Sequence, residues 1–326
     1  MTVARLLLGY YHPWPNDAGF TLARHQGRYA EAGIDLHVGV VDPGRGDTLA
    51  HLARDEGDLG VVPTNRLLAA RSRGQRVTAV AAVNQVGLET LHSLRSLGIA
   101  RPRDLTGRRV ALNSTPRGLA MVRHLVQADG GDPDQVTIVD SGPRELQSAD
   151  LLAGTAEAYF GAYWAWDELF DPHPAADRLS WPVKDHGAPA FHSYLLVARE
   201  DWLAAHPGTL GPLLAASAAG FHAAAADPVA AGAHFGHVTP YFPPAVLERS
   251  VRLVAPTWFH AGRWGTLRDD LVAPYARWLL AHDALPDLAG LAGAGAGPLA
   301  TGLAGSGGSD GLDGFDGLGG AAEVGA

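Results

Sequence analysis

The chain has 326 residues, of which 47% are hydrophobic and 18% charged, so it is too apolar to be disordered throughout and long enough for two folded domains. Acidic residues outnumber basic ones by 34 to 25, and the net charge of −9 argues against a nucleic-acid partner. Cysteine is absent, which excludes disulfides, thiolate nucleophiles and cysteine metal sites. The mainly apolar stretch Val77–Val83 is far shorter than the ~20 residues that span a bilayer, so no transmembrane segment is predicted.

Strand and helix patterns alternate in the first hundred residues. Ile34–Val40 alternates apolar and polar residues, which is typical of a strand. Asp47 is placed to cap the helix that follows. The remaining predicted elements of this stretch are strands Val3–Leu8, Leu59–Val62 and Val77–Val83 and a helix at Asn65–Ser72.

A second alternating series starts at Arg109. Its predicted strands are Arg109–Leu112, Val136–Val139 and Ala156–Gly161, and its predicted helices are Ser114–Gly130, Arg144–Leu152 and Trp164–Phe170. Such alternation is typical of parallel sheets with helices on both faces, and two series predict two α/β lobes. The region after Glu200 is predicted to be helical at Ala215–Ala226, Ala245–Val254 and Leu267–His282.

The two ends of the chain lead to separate predictions. Near the start, Arg5 lies inside a short apolar run that is typical of a buried strand rather than of a secretory signal. The chain as given is therefore predicted to be cytoplasmic, or extracytoplasmic if an export signal has been removed. Residues 287–326 contain fourteen glycines and no lysine, arginine or histidine, which predicts a disordered tail.

Five segments in order resemble one known family. Leu6–Leu36, with its Tyr-Tyr-His-Pro-Trp-Pro run, resembles the opening of the thiamine-pyrimidine family. The further similar segments are 57–65, 104–110, 154–168 and the pair 185–189 and 200–203. That family contains substrate-binding proteins of pyrimidine ABC importers and fungal thiamine-pyrimidine synthases, and its wider group contains sulfonate-binding proteins. The importer subgroup is the more similar, because Gly161–Glu168 is close to its "G-x-Y-W-N-W-E" motif.

The resemblance implies the two-lobed type II periplasmic-binding-protein fold, an α/β fold with two parallel-rich sheets and a ligand cleft between them. On this basis residues 1–88 and 187–285 form a discontinuous lobe one, and residues 89–186 form lobe two. The chain would cross between the lobes near Asn84–Thr90 and Trp181–Gly187, where a hinge would let the cleft close.

The first strand is followed by candidate ligand contacts. Ligands of open α/β folds collect at the carboxyl ends of strands, and Tyr11, Trp14, Asn16 and Asp17 follow such an end. Flat aromatic rings can stack on a heteroaromatic ligand, while an amide and a carboxylate read its edge. The resemblance places Tyr11 at the family's stacking tryptophan and Asn16 at a common asparagine, whereas Asp17 replaces a usual histidine. The alternative is that these residues pack in the core or between the lobes.

Four polar residues follow later strands. Thr64 and Asn65 come after the strand at Leu59–Val62, at the place where ligand contacts are expected. Ser114 and Thr115 precede a proline at a helix start, where free N–H groups and hydroxyls can bind an anion or a carbonyl. In the fungal synthases the corresponding loop, glycine-rich there, holds a cofactor phosphate. An ordinary helix cap is the open alternative at Ser114 and Thr115.

A cluster in the second half completes the predicted site. Tyr163, Trp164 and Asp167 lie together at a strand end and are predicted to form the wall opposite Tyr11, with helix packing as the alternative. His192 is a further candidate for a hydrogen bond to the ligand. It lies six residues after His186, and two histidines without a third ligand make a poor metal site, so no metal is predicted.

A comparison with the synthases argues against their reaction. The resemblance implies a lysine that holds pyridoxal phosphate and a histidine that is consumed, and Val62 and Arg66 stand at those positions. Valine cannot form a Schiff base, and the one lysine, Lys184, lies elsewhere, so no cofactor is predicted and no catalytic residue is assigned.

The leading hypothesis is a substrate-binding protein for a small heteroaromatic ligand, a thiamine-pyrimidine precursor or relative, that delivers it to an ABC permease. The alternative is a cytoplasmic enzyme on the same fold that acts on a pyrimidine or another aromatic compound. In that case Asp17 with His186 or His192 would supply acid–base chemistry.

Overall fold

The computed structural model describes residues 1–142, 144–186 and 188–285, so the predicted tail at 287–326 lies outside the described residues. The strands are β1 Thr2–Leu8, β2 Ile34–Val40, β3 Leu59–Pro63, β4 Val77–Ala82, β5 Glu89–Leu94, β6 Arg109–Leu112, β7 Thr137–Asp140, β8 Ala158–Tyr163, β9 Arg178–Pro182, β10 Tyr194–Arg199, β11 Phe259–His260 and β12 Arg263–Trp264. The helices are α1 Ala18–His25, α2 Arg28–Glu31, α3 Thr48–Ala53, α4 Thr64–Ser72, α5 Pro116–Ala128, α6 Ser148–Leu152, α7 Glu200–Ala205, α8 Leu210–Ala226, α9 Pro228–Val238, α10 Pro244–Val254 and α11 Asp269–Ala281.

Two five-stranded sheets share one arrangement. The first has the order β2-β1-β3-β10-β4 and the second the order β7-β6-β8-β5-β9. In each sheet the first three strands are parallel, and the fourth pairs antiparallel with both of its neighbours. Each sheet is therefore mixed, and the fold is the two-sheet α/β architecture predicted from the sequence.

The chain passes between the sheets twice. It leaves the first sheet after β4 and enters the second at β5, and it returns after β9 to add β10 between β3 and β4. These passages lie at residues 83–88 and 183–193, next to the crossings predicted near Asn84–Thr90 and Trp181–Gly187. The boundaries of the two lobes stay a prediction.

Some predicted elements are confirmed and others are wrong. The strands at Ile34–Val40 and Arg109–Leu112 have the predicted bounds. The helix predicted at Trp164–Phe170 is only a short 3-10 turn, Asp167–Phe170, because the Trp164 backbone N–H donates to the Leu88 carbonyl and the carboxylate of Asp167 accepts from the Tyr163 N–H. The helix predicted from Arg144 begins at Ser148.

Helix packing fixes the outer face of the first sheet. Helices α1 and α8 approach so closely that a β-carbon at Gly220 would lie 2.0 Å from the carbonyl oxygen of Gly19. Glycine is therefore required at this contact, and a larger side chain would force the helices apart. The core beside it contains large buried aromatic residues: Phe20, Tyr29, Phe221, Phe235 and Trp258.

Candidate functional site

A cleft of about 440 Å³ lies between the carboxyl ends of the parallel strands of both sheets. Its first wall, from the first sheet, is formed by Gly9, Tyr10, Tyr11, Val41, Pro43, Gly46, Asp47, Thr48, Pro63, Arg66 and Tyr194. Its second wall, from the second sheet, is formed by Asn113, Ser141, Gly142, Arg144, Glu145, Leu146, Tyr159, Phe160, Gly161, Ala162, Tyr163 and Asp167. The carboxyl ends of strands are where open α/β sheets bind small ligands.

Aromatic rings meet where the walls join. Tyr163 stacks on Trp14 with the ring centroids 5.4 Å apart and an interplanar angle of 10°. Its hydroxyl shares a hydrogen bond of 2.5 Å with that of Tyr194, and burial raises the pKa of both phenols. Tyr10 packs edge-on against Tyr163. These rings are neutral and held rigidly, so they offer flat apolar surface with hydroxyl groups at its edge.

A bulge in β8 directs the second wall into the cleft. The pairing of β5 with β8 skips one residue at Gly161, whose φ of +124° is accessible mainly to glycine. A side chain there would be strained, although no atom obstructs it. The bulge changes the direction of the following residues, Ala162 and Tyr163, both of which line the cleft.

Two carboxyl groups of the second wall face the cleft without a cation. The Tyr11 hydroxyl donates to Glu145 at 2.7 Å, and the Tyr163 backbone N–H donates to Asp167 at 2.8 Å. Within the described part of the chain, no arginine or lysine lies at ion-pair distance from either group. Burial, and then the neighbouring Glu145, raise the pKa of Asp167 to about 8, so its carboxyl is largely protonated at pH 7. Burial also raises the pKa of Glu145.

The charged groups of the first wall are paired. Arg66 lies on α4 and donates to Asp47 at 3.2 Å, and Asp47 also caps α3 by accepting from the Ala50 N–H. On the opposite wall, Arg144 pairs with Asp150. The acidic groups of the cleft that lack a cationic partner therefore lie on the second wall, at Glu145 and Asp167.

Three predicted site residues line the cleft: Tyr11, Tyr163 and Asp167. Tyr11 is 48% exposed and lies at the mouth, where its hydroxyl joins the two walls through Glu145. Trp14 is buried outside the cleft lining and supports the ring of Tyr163, on which it stacks.

Asn16 and Asp17 lie behind the first wall, in the protein interior. Asn16 exchanges two hydrogen bonds with Asn84 and accepts a third from the indole of Trp258, so its amide supports the first passage between the sheets. The Asp17 carboxyl accepts from the Trp14 N–H, and its other oxygen has no hydrogen-bond partner among the residues that the structure describes. Burial raises the pKa of Asp17 to about 7.

His192 and Thr64 lie at the second passage between the sheets. His192 Nδ1 donates to the Asn84 carbonyl at 2.9 Å, and Nε2 accepts from the Arg268 backbone N–H at 3.1 Å. Burial lowers the pKa of His192 to about 4, so the ring is neutral. Thr64 donates to the His192 carbonyl at 2.6 Å. These contacts join the two passages to each other and leave both side chains outside the cleft lining.

The remaining predicted residues also lie outside the cleft lining. Thr115 caps α5 through the Gly118 N–H, as in the helix-cap alternative, and lines a separate cavity of about 320 Å³ together with Asn65. The backbone N–H of Ser114 donates to Asp140. Trp164 donates to the Gly87 carbonyl, and the Lys184 ammonium lies 5.5 Å from its ring centroid.

Sequence reasoning missed most residues that line the cleft, among them Glu145, Tyr194, Tyr159 and Tyr10. Tyr194 is the first residue of β10, a strand that was not predicted, although Tyr194–Arg199 is apolar up to its last residue. Recognising that strand would have placed Tyr194 at the site. Glu145 lies in an irregular segment before α6 and carries no pattern that could have identified it.

The positions that matter for synthase chemistry are occupied by other groups. Val62 is buried in β3, and Arg66 faces the cleft as a guanidinium paired with Asp47.

His186 and His192 are part of no metal site, because within residues 1–142, 144–186 and 188–285 no three histidine or acidic residues are arranged to hold a metal ion. In the same part of the chain, none of the helices has the length and apolar character needed to cross a membrane.

Comparison with known proteins identifies the family. Residues 14–231 match the family described as NMT1/THI5 like, and this match covers more than half of the chain. The chain belongs to the NMT1/THI5-like family. The resemblance read from the sequence to thiamine-pyrimidine proteins is thereby confirmed.

Two named proteins are similar in sequence to this chain, over different lengths. The formylaminopyrimidine-binding protein of Halalkalibacterium halodurans is 27% identical over 182 residues, which cover 56% of this chain and 54% of that protein. The chain thus matches only about half the length of this relative. The 4-amino-5-hydroxymethyl-2-methylpyrimidine phosphate synthase of Uromyces fabae is 26% identical over 241 residues, 71% of this chain and 69% of the synthase.

Solved structures share the fold. The alkanesulfonate-binding protein SsuA from Xanthomonas axonopodis pv. citri, bound to MOPS, superposes with a TM-score of 0.63 over 88% of this chain and 95% of its own, at 16% identity. This likeness confirms the predicted periplasmic-binding-protein fold for this NMT1/THI5-like protein.

Proposed function

We propose that this chain is a substrate-binding protein for a small aminopyrimidine, held between the two walls of the cleft. The observation that carries the proposal is the pair of carboxyl groups, Glu145 and Asp167, beside stacked aromatic rings in a cleft of about 440 Å³. That volume lies in the range of small-ligand sites. The named relative that binds formylaminopyrimidine supports the same class of ligand.

The protonated carboxyl of Asp167 matches one edge of an aminopyrimidine. A neutral carboxyl presents one O–H donor and one carbonyl acceptor side by side. A ring nitrogen next to an exocyclic amino group presents the complementary acceptor and donor. Since the pKa of Asp167 is about 8, the neutral form is available at pH 7, and it needs no cationic ligand.

The aromatic rings supply the second half of recognition. Tyr163 is backed by Trp14 and fixed by its hydroxyl contact with Tyr194, so it presents a rigid face against which a flat ring can stack. Tyr11, at the mouth, can cover the ligand from the first wall and already joins the second wall through Glu145. Ligand binding between the walls would favour the closed arrangement of the two sheets.

The transport role is part of the same proposal. Delivery of the ligand to an ABC permease, outside the cytoplasm, follows the binding proteins of this fold that the chain resembles. The boundaries 1–88 with 187–285 and 89–186 are proposed for the two lobes that would close. An enzyme on this fold is the competing function, and the experiment below separates the two.

The test is native and denaturing mass spectrometry of the full chain with formylaminopyrimidine and with 4-amino-5-hydroxymethyl-2-methylpyrimidine. We expect a one-to-one complex that releases the compound unchanged. Conversion of either compound with time would replace the binding role by an enzymatic one. Circular dichroism checks that Asp167→Asn and wild type are folded alike. If the folded protein forms a complex with neither compound, the pyrimidine assignment is refuted.

A further inference from the structure

A buried polar cluster lies behind the second wall of the cleft. His92, on β5, is 1% exposed, and its ring stacks on Tyr159 with the centroids 4.9 Å apart. Tyr159 in turn lines the cleft. We name the set around this histidine the His92 cluster; its members are His92, Ser148, Glu168, Asp171 and Ser180.

In the described part of the chain, the polar atoms that face Nε2 of His92 are acceptors. Ser148 Oγ lies 3.4 Å from this nitrogen and Asp171 Oδ2 lies 3.8 Å from it. The single hydroxyl proton of Ser148 is given to Asp171 Oδ2 at 2.5 Å, so Ser148 has only lone pairs left for the ring. Nε2 must therefore carry a proton, because the lone pair of an unprotonated ring nitrogen would face the lone pairs of Ser148 Oγ and Asp171 Oδ2.

The other nitrogen has the same surroundings. Ser180 Oγ lies 3.2 Å from Nδ1, and Glu168 Oε1 lies 3.8 Å from it. Ser180 donates its hydroxyl proton to Glu168. Nδ1 must therefore carry a proton as well, and an imidazole with two N–H groups is a cation. The cluster then contains one positive ring between two carboxylates.

His192 provides an internal contrast. It is as deeply buried as His92, but its Nε2 accepts a hydrogen bond from the Arg268 backbone N–H while its Nδ1 donates to a carbonyl. This pattern requires one bare nitrogen and a neutral ring. Two buried histidines of one chain thus have opposite hydrogen-bonding demands.

The His92 cluster joins the two segments that carry the acids of the cleft. Ser148 begins α6, three residues after Glu145, and Glu168 directly follows Asp167. The Ser148 N–H also donates to Asp171, the residue that follows the 3-10 turn, at 3.1 Å. The cluster therefore sets the separation between the carboxyl groups of Glu145 and Asp167.

We propose that His92 is a buried imidazolium that positions Glu145 and Asp167 for ligand binding. As far as ligand affinity is concerned, this inference rests on the function proposed above. The protonation of the ring and its effect on the two carboxyl groups can be measured without a ligand. The residue touches no ligand and acts only through the two segments that it joins.

The first measurement is nitrogen NMR of the histidine rings in the ligand-free full chain at pH 7, with His92 assigned from the spectrum of His92→Gln. We expect two protonated ring nitrogens for His92 and one bare nitrogen for His192. A bare ring nitrogen at His92 would overturn the inference whatever the ligand is.

The second measurement compares variants. His92→Gln removes the cation that lies between Glu168 and Asp171, and we expect at least a tenfold loss of affinity for 4-amino-5-hydroxymethyl-2-methylpyrimidine by calorimetry. The triple variant with Glu168→Gln and Asp171→Asn removes the repulsion and should recover the affinity to within threefold of wild type. His51→Gln, which changes a buried histidine outside the cluster, is the control and should bind as wild type does.

A carboxyl titration by carbon NMR completes the test without a ligand. If His92 positions the two acids, His92→Gln allows them to separate, and the titration midpoint of Asp167 falls toward its ordinary value. An unchanged midpoint together with wild-type affinity would refute positioning. If the wild-type chain binds no pyrimidine, the proposed function fails, while the ring spectra and this titration still decide the inference.

If His92→Gln does not fold, Ser180→Ala replaces it in both comparisons. This variant removes one neutral hydrogen-bond partner of the His92 ring.

Discussion

The two walls of the cleft have the same strand arrangement and opposite electrostatic character. On the first wall, Asp47 is neutralised by Arg66 at 3.2 Å. On the second wall, Glu145 and Asp167 have no cation at ion-pair distance among the described residues, and the pKa of both is raised. The sheets are alike because topology fixes where strands end, whereas the segments after those ends determine the chemistry.

This difference assigns separate tasks to the walls. A neutral acid is useful for reading a ligand edge only where no arginine keeps it ionised, and the second wall provides that condition around Asp167. The first wall adds the rings of Tyr10, Tyr11 and Tyr194 to the face of Tyr163, and its charged groups are held in a fixed ion pair. Variants on the two walls should therefore fail in different ways.

The largest effect is expected behind the first wall, at Asp17. Burial raises its pKa from 3.8 to about 7, so the folded protein binds a proton there that the unfolded chain releases above pH 4. The contribution of Asp17 to the free energy of unfolding is present below pH 4 and is lost as the pH rises to 7, by up to about 4 kcal/mol. We expect Asp17→Asn to match wild type in urea unfolding at pH 4 and to exceed it at pH 8. Equal stability of the two proteins at pH 8 would contradict a buried acid.

The next effect concerns the second wall directly. Asp167→Leu keeps a side chain of similar size but removes the donor and acceptor, and we expect affinity for an aminopyrimidine to fall about a hundredfold, or about 2.7 kcal/mol. Asp167→Asn keeps one donor and one acceptor and should remain within tenfold of wild type. Calorimetry of both variants checks this, and equal binding by Asp167→Leu would exclude Asp167 from recognition.

The pH profile of binding sharpens the same point. Because the pKa of Asp167 is about 8, the neutral carboxyl is present below pH 8 and is lost above it. Affinity should therefore be nearly flat from pH 6 to 7 and fall about tenfold between pH 7 and pH 9. Asp167→Asn does not titrate and should show no such fall. A profile that rises with pH would indicate that the ligand binds the carboxylate instead.

The smallest effect is expected at the mouth of the cleft. Tyr11→Phe removes the hydroxyl that joins the first wall to Glu145 while keeping the ring, and this contact is exposed to solvent. We expect about a threefold loss of affinity by fluorescence titration, or about 0.6 kcal/mol. Tyr241→Phe, a tyrosine that is 64% exposed and outside the cleft lining, is the matched control. A loss above thirtyfold would show that the hydroxyl contacts the ligand itself.

Local patterns in the sequence were sufficient for the parallel strands. Ile34–Val40 alternates buried and exposed residues at its start, and β6 is almost fully buried, so both were readable from hydrophobicity alone. The antiparallel strands β5, β9 and β10 were not predicted, because their pairing depends on the passages between the sheets, and no local pattern reports such long-range contacts.

The candidate site was readable where it follows a predicted strand. Tyr163 ends β8, Tyr11 and Asp167 lie shortly after β1 and β8, and the structure brings all three to one cleft. Asn16 and His192 have the side chains of ligand-binding residues, but their hydrogen-bonding capacity is used by Asn84, Trp258 and Arg268 within the protein. Sequence alone does not reveal which partner a polar side chain finds.

The place of β10 in the first sheet has a consequence for the order in which the protein forms during synthesis. β10 lies between β3 and β4, so the first sheet stays split into two parts with open edges until residue 199 has left the ribosome. All strands of the second sheet, by contrast, lie within residues 89–182, so this sheet can assemble while the first is still incomplete. The nascent chain therefore carries one finished half and one half with unpaired strand edges, the state most exposed to aggregation and to chaperones.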